Sequence, residues 1–169
     1  MSRTPVTVAF AAAAALVLLP AIARAQEASI IKSPGDHPSY FFEAEPHGIL
    51  GFAAPFDDQG SFGVGFRGTF NIANGFVPNI NDSVGVGVGI DFGVDGRVYV
   101  PVVLQWNFWL STHWSVFGEP GLAFGSGGPY NGGVFPAFFA GGRYHFTDRI
   151  ALTIRIGYPD VAVGVSFFL

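Results

Sequence analysis

Three residues able to ligate a cation or trade a proton stand at alternate positions in the stretch FEAEPH: Glu43, Glu45 and His47. In an extended strand, residues two apart share a face, so all three converge, and carboxylate and imidazole are donors that divalent metals accept. Competing cations stand elsewhere in the chain. Arg67, Arg143 and Arg155, together with Glu119, Asp91 and His145, fall on the same kind of alternating positions. Guanidinium groups neutralise carboxylates by ion pairing before a metal can use them. The expected arrangement is therefore a structural network of Glu43, Glu45 and Glu119 against Arg67, Arg143 and Arg155, with no metal site.

Other chemistries find little material. The chain has no cysteine, which removes a thiol nucleophile, a cysteine zinc site and a lipoprotein acylation site. Gly85, Gly87 and Gly89 in VGVGVGID precede no helix and no lysine, so they do not form a phosphate loop; they make room for long neighbours. A net charge of -4 without a basic run excludes a nucleic-acid surface. No cofactor motif is present. A lipid-modifying hydrolase would need a histidine beside a serine, supported by an acid. His113 and His145 fall at one end of the fold, His37 precedes it, and His47 has only Ser61 as a neighbour candidate.

The elements that position these residues follow from composition and period. Half of the chain is hydrophobic (50%), 16% is aromatic and only 12% is charged, with 24 Gly and 19 Phe. Arg3, an apolar run over 6–22 and the small-residue site Ala23-Arg24-Ala25 form a secretory signal peptide over 1–25, cut before Gln26. Residues 26–38 show no pattern and are expected as a mobile or loosely docked arm. From residue 39 to 169 the apolar residues alternate by two almost without interruption. The runs are 39–52, 60–72, 83–92, 97–109, 114–124, 134–146, 150–157 and 161–169, close to the nine to eleven residues a tilted strand needs to cross a bilayer. Asn74-Gly75, Asp95-Gly96 and Asn131-Gly132-Gly133 are turn formers that accept positive φ.

Charge decides which face is wet. A water-facing surface is about 25 to 35% charged, yet after residue 25 the chain keeps one lysine, Lys32, outside the strands. Continuous apolar faces such as Val84, Val86, Val88 and Ile90 must then meet lipid, while Arg67, Asp91, Gln105 and Asn107 point inward. Trp106, Phe108, Trp109 and Trp114 flank one tight turn, and Tyr144 and Phe146 the next, as an interfacial girdle requires. The expected fold is all-β: a closed, antiparallel, up-and-down transmembrane β-barrel of about eight strands. Its last strand would turn Val161, Val163, Val165, Phe167 and Leu169 to lipid, and Ala162, Gly164, Ser166 and Phe168 inward.

The leader and the pattern over 40–169 resemble the small outer-membrane β-barrels of Gram-negative bacteria, the OmpA/OmpX-like class. The ending VAVGVSFFL is similar to that class's C-terminal assembly signal, carried here by Phe167, Phe168 and Leu169, although it closes on leucine rather than an aromatic. The resemblance implies a monomer in the cell outer membrane, outer-membrane lipids including lipopolysaccharide as surroundings, and the barrel-assembly machinery as a partner during insertion. The role it implies is structural or surface-interacting and non-enzymatic. One alternative is a lipid A deacylase-like or acyltransferase-like enzyme. The other is a binder of a small apolar ligand.

The second alternative rests on a gradient along the bore. Inward residues shrink from Glu43, Arg67, Trp109, Phe117 and Arg143 to Ser61, Gly121, Ala123, Ala137 and Gly164, with Tyr99 and Phe135 as large exceptions. This grading allows an outward-facing apolar cup lined by Tyr99, Ala123, Phe135 and Gly164, unless Tyr99, Phe135 and the outer connections fill that space.

Overall fold

Period-two alternation becomes eight strands: β1 (Phe42–Phe52), β2 (Gly63–Asn74), β3 (Asp82–Gly93), β4 (Val98–Trp109), β5 (Trp114–Ser126), β6 (Val134–Thr147), β7 (Ile150–Tyr158) and β8 (Asp160–Phe168). The computed structural model describes residues 28–52, 62–126 and 132–169. The leader expected at 1–25, Ser61 and the connections around Asp57 and Asn131 lie outside the described residues. The largest departures from the expected bounds are at two starts: β1 begins at Phe42 rather than 39, and β2 at Gly63 rather than 60.

Each strand pairs antiparallel with its chain neighbours, and β1 pairs antiparallel with β8, so the sheet is a closed barrel in the order β1 to β8. Closure leaves no strand with free ladder groups, which makes an apolar final strand safe. Glycines serve three of the connections. Gly75, Gly96 and Gly132 adopt φ of +66°, +85° and +71°, left-handed values that glycine reaches without a Cβ penalty.

The two faces separate as the alternation requires. Phe62, Val64, Ile72, Phe138 and Ile156 point outward and are each more than half exposed. An apolar surface of that extent is stable only against acyl chains. Over 162–169, Phe167 and Leu169 are exposed while Ala162, Ser166 and Phe168 are buried.

Two expectations are refined at the end of the barrel where the described arm and Leu169 lie, the terminal end. Trp109, expected both beside the girdle and among the large inward residues, is only 1% exposed and belongs to the bore. It stacks against His37 at 5.1 Å and contacts Tyr40, His145 and Phe168. Trp106, Phe108, Trp114 and Tyr144 stay partly exposed on the outward face. The arm, from Ala28 onward, is docked rather than loose. Ile30 N donates to Leu110 O (3.0 Å), and Asn81 N donates to Ile31 O (2.7 Å). Asn81 donates through Nδ2 to Asp36 O (3.0 Å) and accepts at Oδ1 from Gly35 N (3.2 Å). Ile30 and Tyr40 thereby close an apolar cluster with Trp109, Ala151 and Phe168. These contacts join the arm to residues about fifty or more positions away, so no local period announces them.

Candidate functional site

At mid-height the bore is built around Glu119. This carboxylate is fully buried and accepts from Arg155 Nε (2.8 Å) and Nη2 (3.1 Å), from Arg67 Nη1 (2.9 Å) and from Gln105 Nε2 (2.8 Å). Arg155 uses its other edge on Glu45, with Nη1 to Oε1 at 2.6 Å and Nη2 to Oε2 at 3.0 Å. One guanidinium therefore clamps two carboxylates in forked geometry, the strongest pairing these groups make. Nearer the terminal end, Arg143 Nη2 donates to both oxygens of Glu43 (2.8 and 3.0 Å), and its Nη1 donates to Asn107 Oδ1.

Aromatic faces complete the desolvation. The Arg143 guanidinium lies 4.1 Å from the Phe117 ring centre, and Arg67 lies 5.0 Å from that of Phe139. Cations held over ring faces away from water gain further stabilisation. Glycines open the space these long side chains need. A Cβ at Gly89 would stand 2.9 Å from Arg67 Nε, and one at Gly164 would stand 3.1 Å from Glu45 Cγ and 2.7 Å from Pro46 O.

The structure thus brings together Glu43, Glu45, Glu119, Arg67, Arg143 and Arg155, all at most 1% exposed. His47 and Asp91 form a further pair, Nε2 to Oδ1 at 2.8 Å. No set of three or more His, Cys, Asp or Glu groups among the described residues is arranged to hold a metal ion.

Above the charges, in the half of the barrel away from the termini, the space expected as a cup is occupied. Tyr99, Ala123, Phe135, Ala137 and Ala162 pack with Ile49, Val103 and Phe139 into one buried apolar cluster, and Tyr158 leans on it. Tyr99 meets Phe135 edge-on at 5.5 Å. Ile49, Val103 and Phe139 are large inward residues that the expected grading left out, and they take up the volume. Gly164 does not line this region at all: it faces Glu45 and His47 at mid-height. A cleft among the described residues lies instead at the opposite, terminal end, where about 260 Å³ is enclosed between the arm and the turns, bordered by Ile30, His37, Trp109 and Asp148.

A serine and a histidine do meet. Ser115 Oγ and His145 Nε2 are 2.9 Å apart, at the terminal end that the sequence assigns to His145. Both are buried, and His145 Nδ1 has no hydrogen-bond partner among the described residues. Among the described residues no carboxylate hydrogen-bonds His145, so no acid orients the ring as it does in a catalytic triad.

Comparison with known proteins identifies the architecture. No family model and no curated protein matches the chain. Among solved structures, a de novo designed transmembrane β-barrel aligns over 79% of this chain and 98% of its own, at 14% identity and a TM-score of 0.56. A second de novo designed barrel, solved in solution by NMR, aligns over 80% and 98%, at 11% identity and a TM-score of 0.57. The Yersinia pestis outer-membrane protein Ail, in a phospholipid bilayer nanodisc, aligns over 76% and 99% at 13% identity and a TM-score of 0.48. At such identities the likeness concerns fold: a closed eight-stranded transmembrane barrel.

Proposed function

We propose that this chain is an integral outer-membrane barrel, exported through its leader, that serves a structural or surface-interaction role without catalysis and without a through-pore. The observation that carries this reading is the Glu119 centre, where two arginines and a glutamine close the bore at mid-height. Eight strands leave a bore only wide enough for side chains to fill, and here they fill it with charge below and apolar groups above. In this reading both termini lie in the periplasm, the outward face contacts outer-membrane lipids including lipopolysaccharide, and Phe167, Phe168 and Leu169 are presented to the barrel-assembly machinery.

Three experiments test it. In planar bilayers the refolded protein should give no stable conductance steps, and a reproducible open channel would overturn the plugged reading. Val94 sits at the β3–β4 turn and is 80% exposed. A Val94→Cys variant should be labelled by a membrane-impermeant thiol reagent on intact cells, and labelling only after outer-membrane disruption would reverse the orientation. Separately, lipid A from membranes with and without the protein should be identical in acyl chains; a chain gained or lost would favour the enzyme alternative.

A further inference from the structure

The cleft at the terminal end carries charge of one sign. Its lining takes one carboxylate from the arm, Asp36, and one from the β6–β7 turn, Asp148, and includes no lysine or arginine to answer them. Both acids are exposed, which places them at the mouth. Among the described residues neither carboxylate is hydrogen-bonded or ion-paired. The floor is Trp109, only 1% exposed.

His37 adds a third acceptor to the same lining. Its Nδ1 lies 3.0 Å from Pro38 O, and since a carbonyl only accepts, Nδ1 carries the hydrogen of that bond. In the neutral ring Nε2 is then a bare lone pair, shielded from water and without a hydrogen-bond partner. The stack on Trp109, 5.1 Å between ring centres and 9° between planes, fixes that orientation. Acceptors and negative charge without a matching base suit a cationic donor and repel an anion. A metal ion is not served, because no three His, Cys, Asp or Glu groups among the described residues are placed to hold one. Ile30, Pro38 and Trp109 offer apolar surface beside the acids, which suits a hydrocarbon stem. The volume of about 260 Å³ falls below the roughly 300–1,000 Å³ of sites for drug-sized ligands, so the ligand is small. We propose that this cleft binds a short aliphatic diamine, with one ammonium at Asp36, the other at Asp148, and the methylenes against Ile30, Pro38 and Trp109.

The test titrates the barrel with its arm, refolded in zwitterionic detergent micelles, with butane-1,4-diamine in a calorimeter at low salt. One saturable equivalent is expected, and added salt should weaken it because exposed charges are screened. Butylamine, with a single ammonium, should bind about threefold to fivefold more weakly, the difference a solvent-exposed ion pair makes. Butane-1,4-diol should not bind. Asp36→Asn and Asp148→Asn should each weaken the diamine by a similar factor, and the double variant by about tenfold. Asp95→Asn, which removes an acid from the β3–β4 turn at the opposite end, should leave uptake unchanged. Both cleft acids are exposed, so their variants keep the fold, and heat-modifiable migration on gels checks it. Absence of saturable uptake by the parent, undiminished uptake by the double variant, or butylamine binding as tightly as the diamine would each overturn the site.

Discussion

The two halves of the bore solve the same problem with opposite materials. Towards the termini, Arg155 forks onto Glu45 and Glu119, while Arg143 and Arg67 hydrogen-bond Glu43 and Glu119 through single nitrogens. In the other half, Tyr99, Phe135, Phe139, Val103 and Ile49 pack without polar contacts between them. Each half excludes water, but they fail differently. A buried ion pair is intolerant of losing one member, because the survivor keeps its desolvation cost. An apolar cluster loses stability in proportion to the cavity left behind. The contrast shows that closing a narrow barrel requires complete satisfaction or close packing, and that one chain can use both.

The largest effect should come from the charged half. Glu119→Ala takes from Arg67 its hydrogen-bonded carboxylate and from Arg155 one of its two, and should cost about 3–5 kcal/mol in urea unfolding followed by tryptophan fluorescence. Adding Arg67→Met should restore part of the loss; a Glu119→Ala barrel that unfolds with the parent would erase the distinction between the halves. Next, Phe135→Ala should cost about 3 kcal/mol and open a void that a small apolar molecule fills, seen as a melting temperature raised by benzene in the variant alone. Ala123→Trp, which an open cup would have accepted, should instead overpack the cluster and cost about 2 kcal/mol; parental stability would mean the half is loosely filled. The smallest change is at the arm, where His37→Ala removes the stack on Trp109 at a cost of about 1 kcal/mol. Its signature is faster amide exchange at Ile30 and Asn81, with the rest of the barrel unaltered.

Much of this was legible because a strand states its two faces plainly. Alternation located every strand, and parity placed Glu43, Glu45, Arg67, Glu119, Arg143 and Arg155 in the bore. What escaped has physical reasons. In VFPAFFA, at the start of β6, both faces are apolar, so parity says little about size and the filling role of Phe139 stayed hidden. Asp160 follows Pro159 directly and reads as part of a turn, whereas the strand already begins there. The arm is held by backbone bonds to Leu110 and Asn81, which leave no trace in local composition.

The seam between β1 and β8 also sets the tempo of folding. Every other ladder joins strands adjacent in sequence, whereas this one joins Glu43 to Phe168 and Phe52 to Asp160. Its loop-closure entropy spans almost the whole described chain, and ladders of such separation form late and slowly. The hydrogen bonds from Arg155 on β7 and Arg143 on β6 to Glu45 and Glu43 on β1 reach across that same seam. Charge pairing and strand pairing must therefore arrive together, which makes the final closure a single cooperative step and a high barrier to reopening.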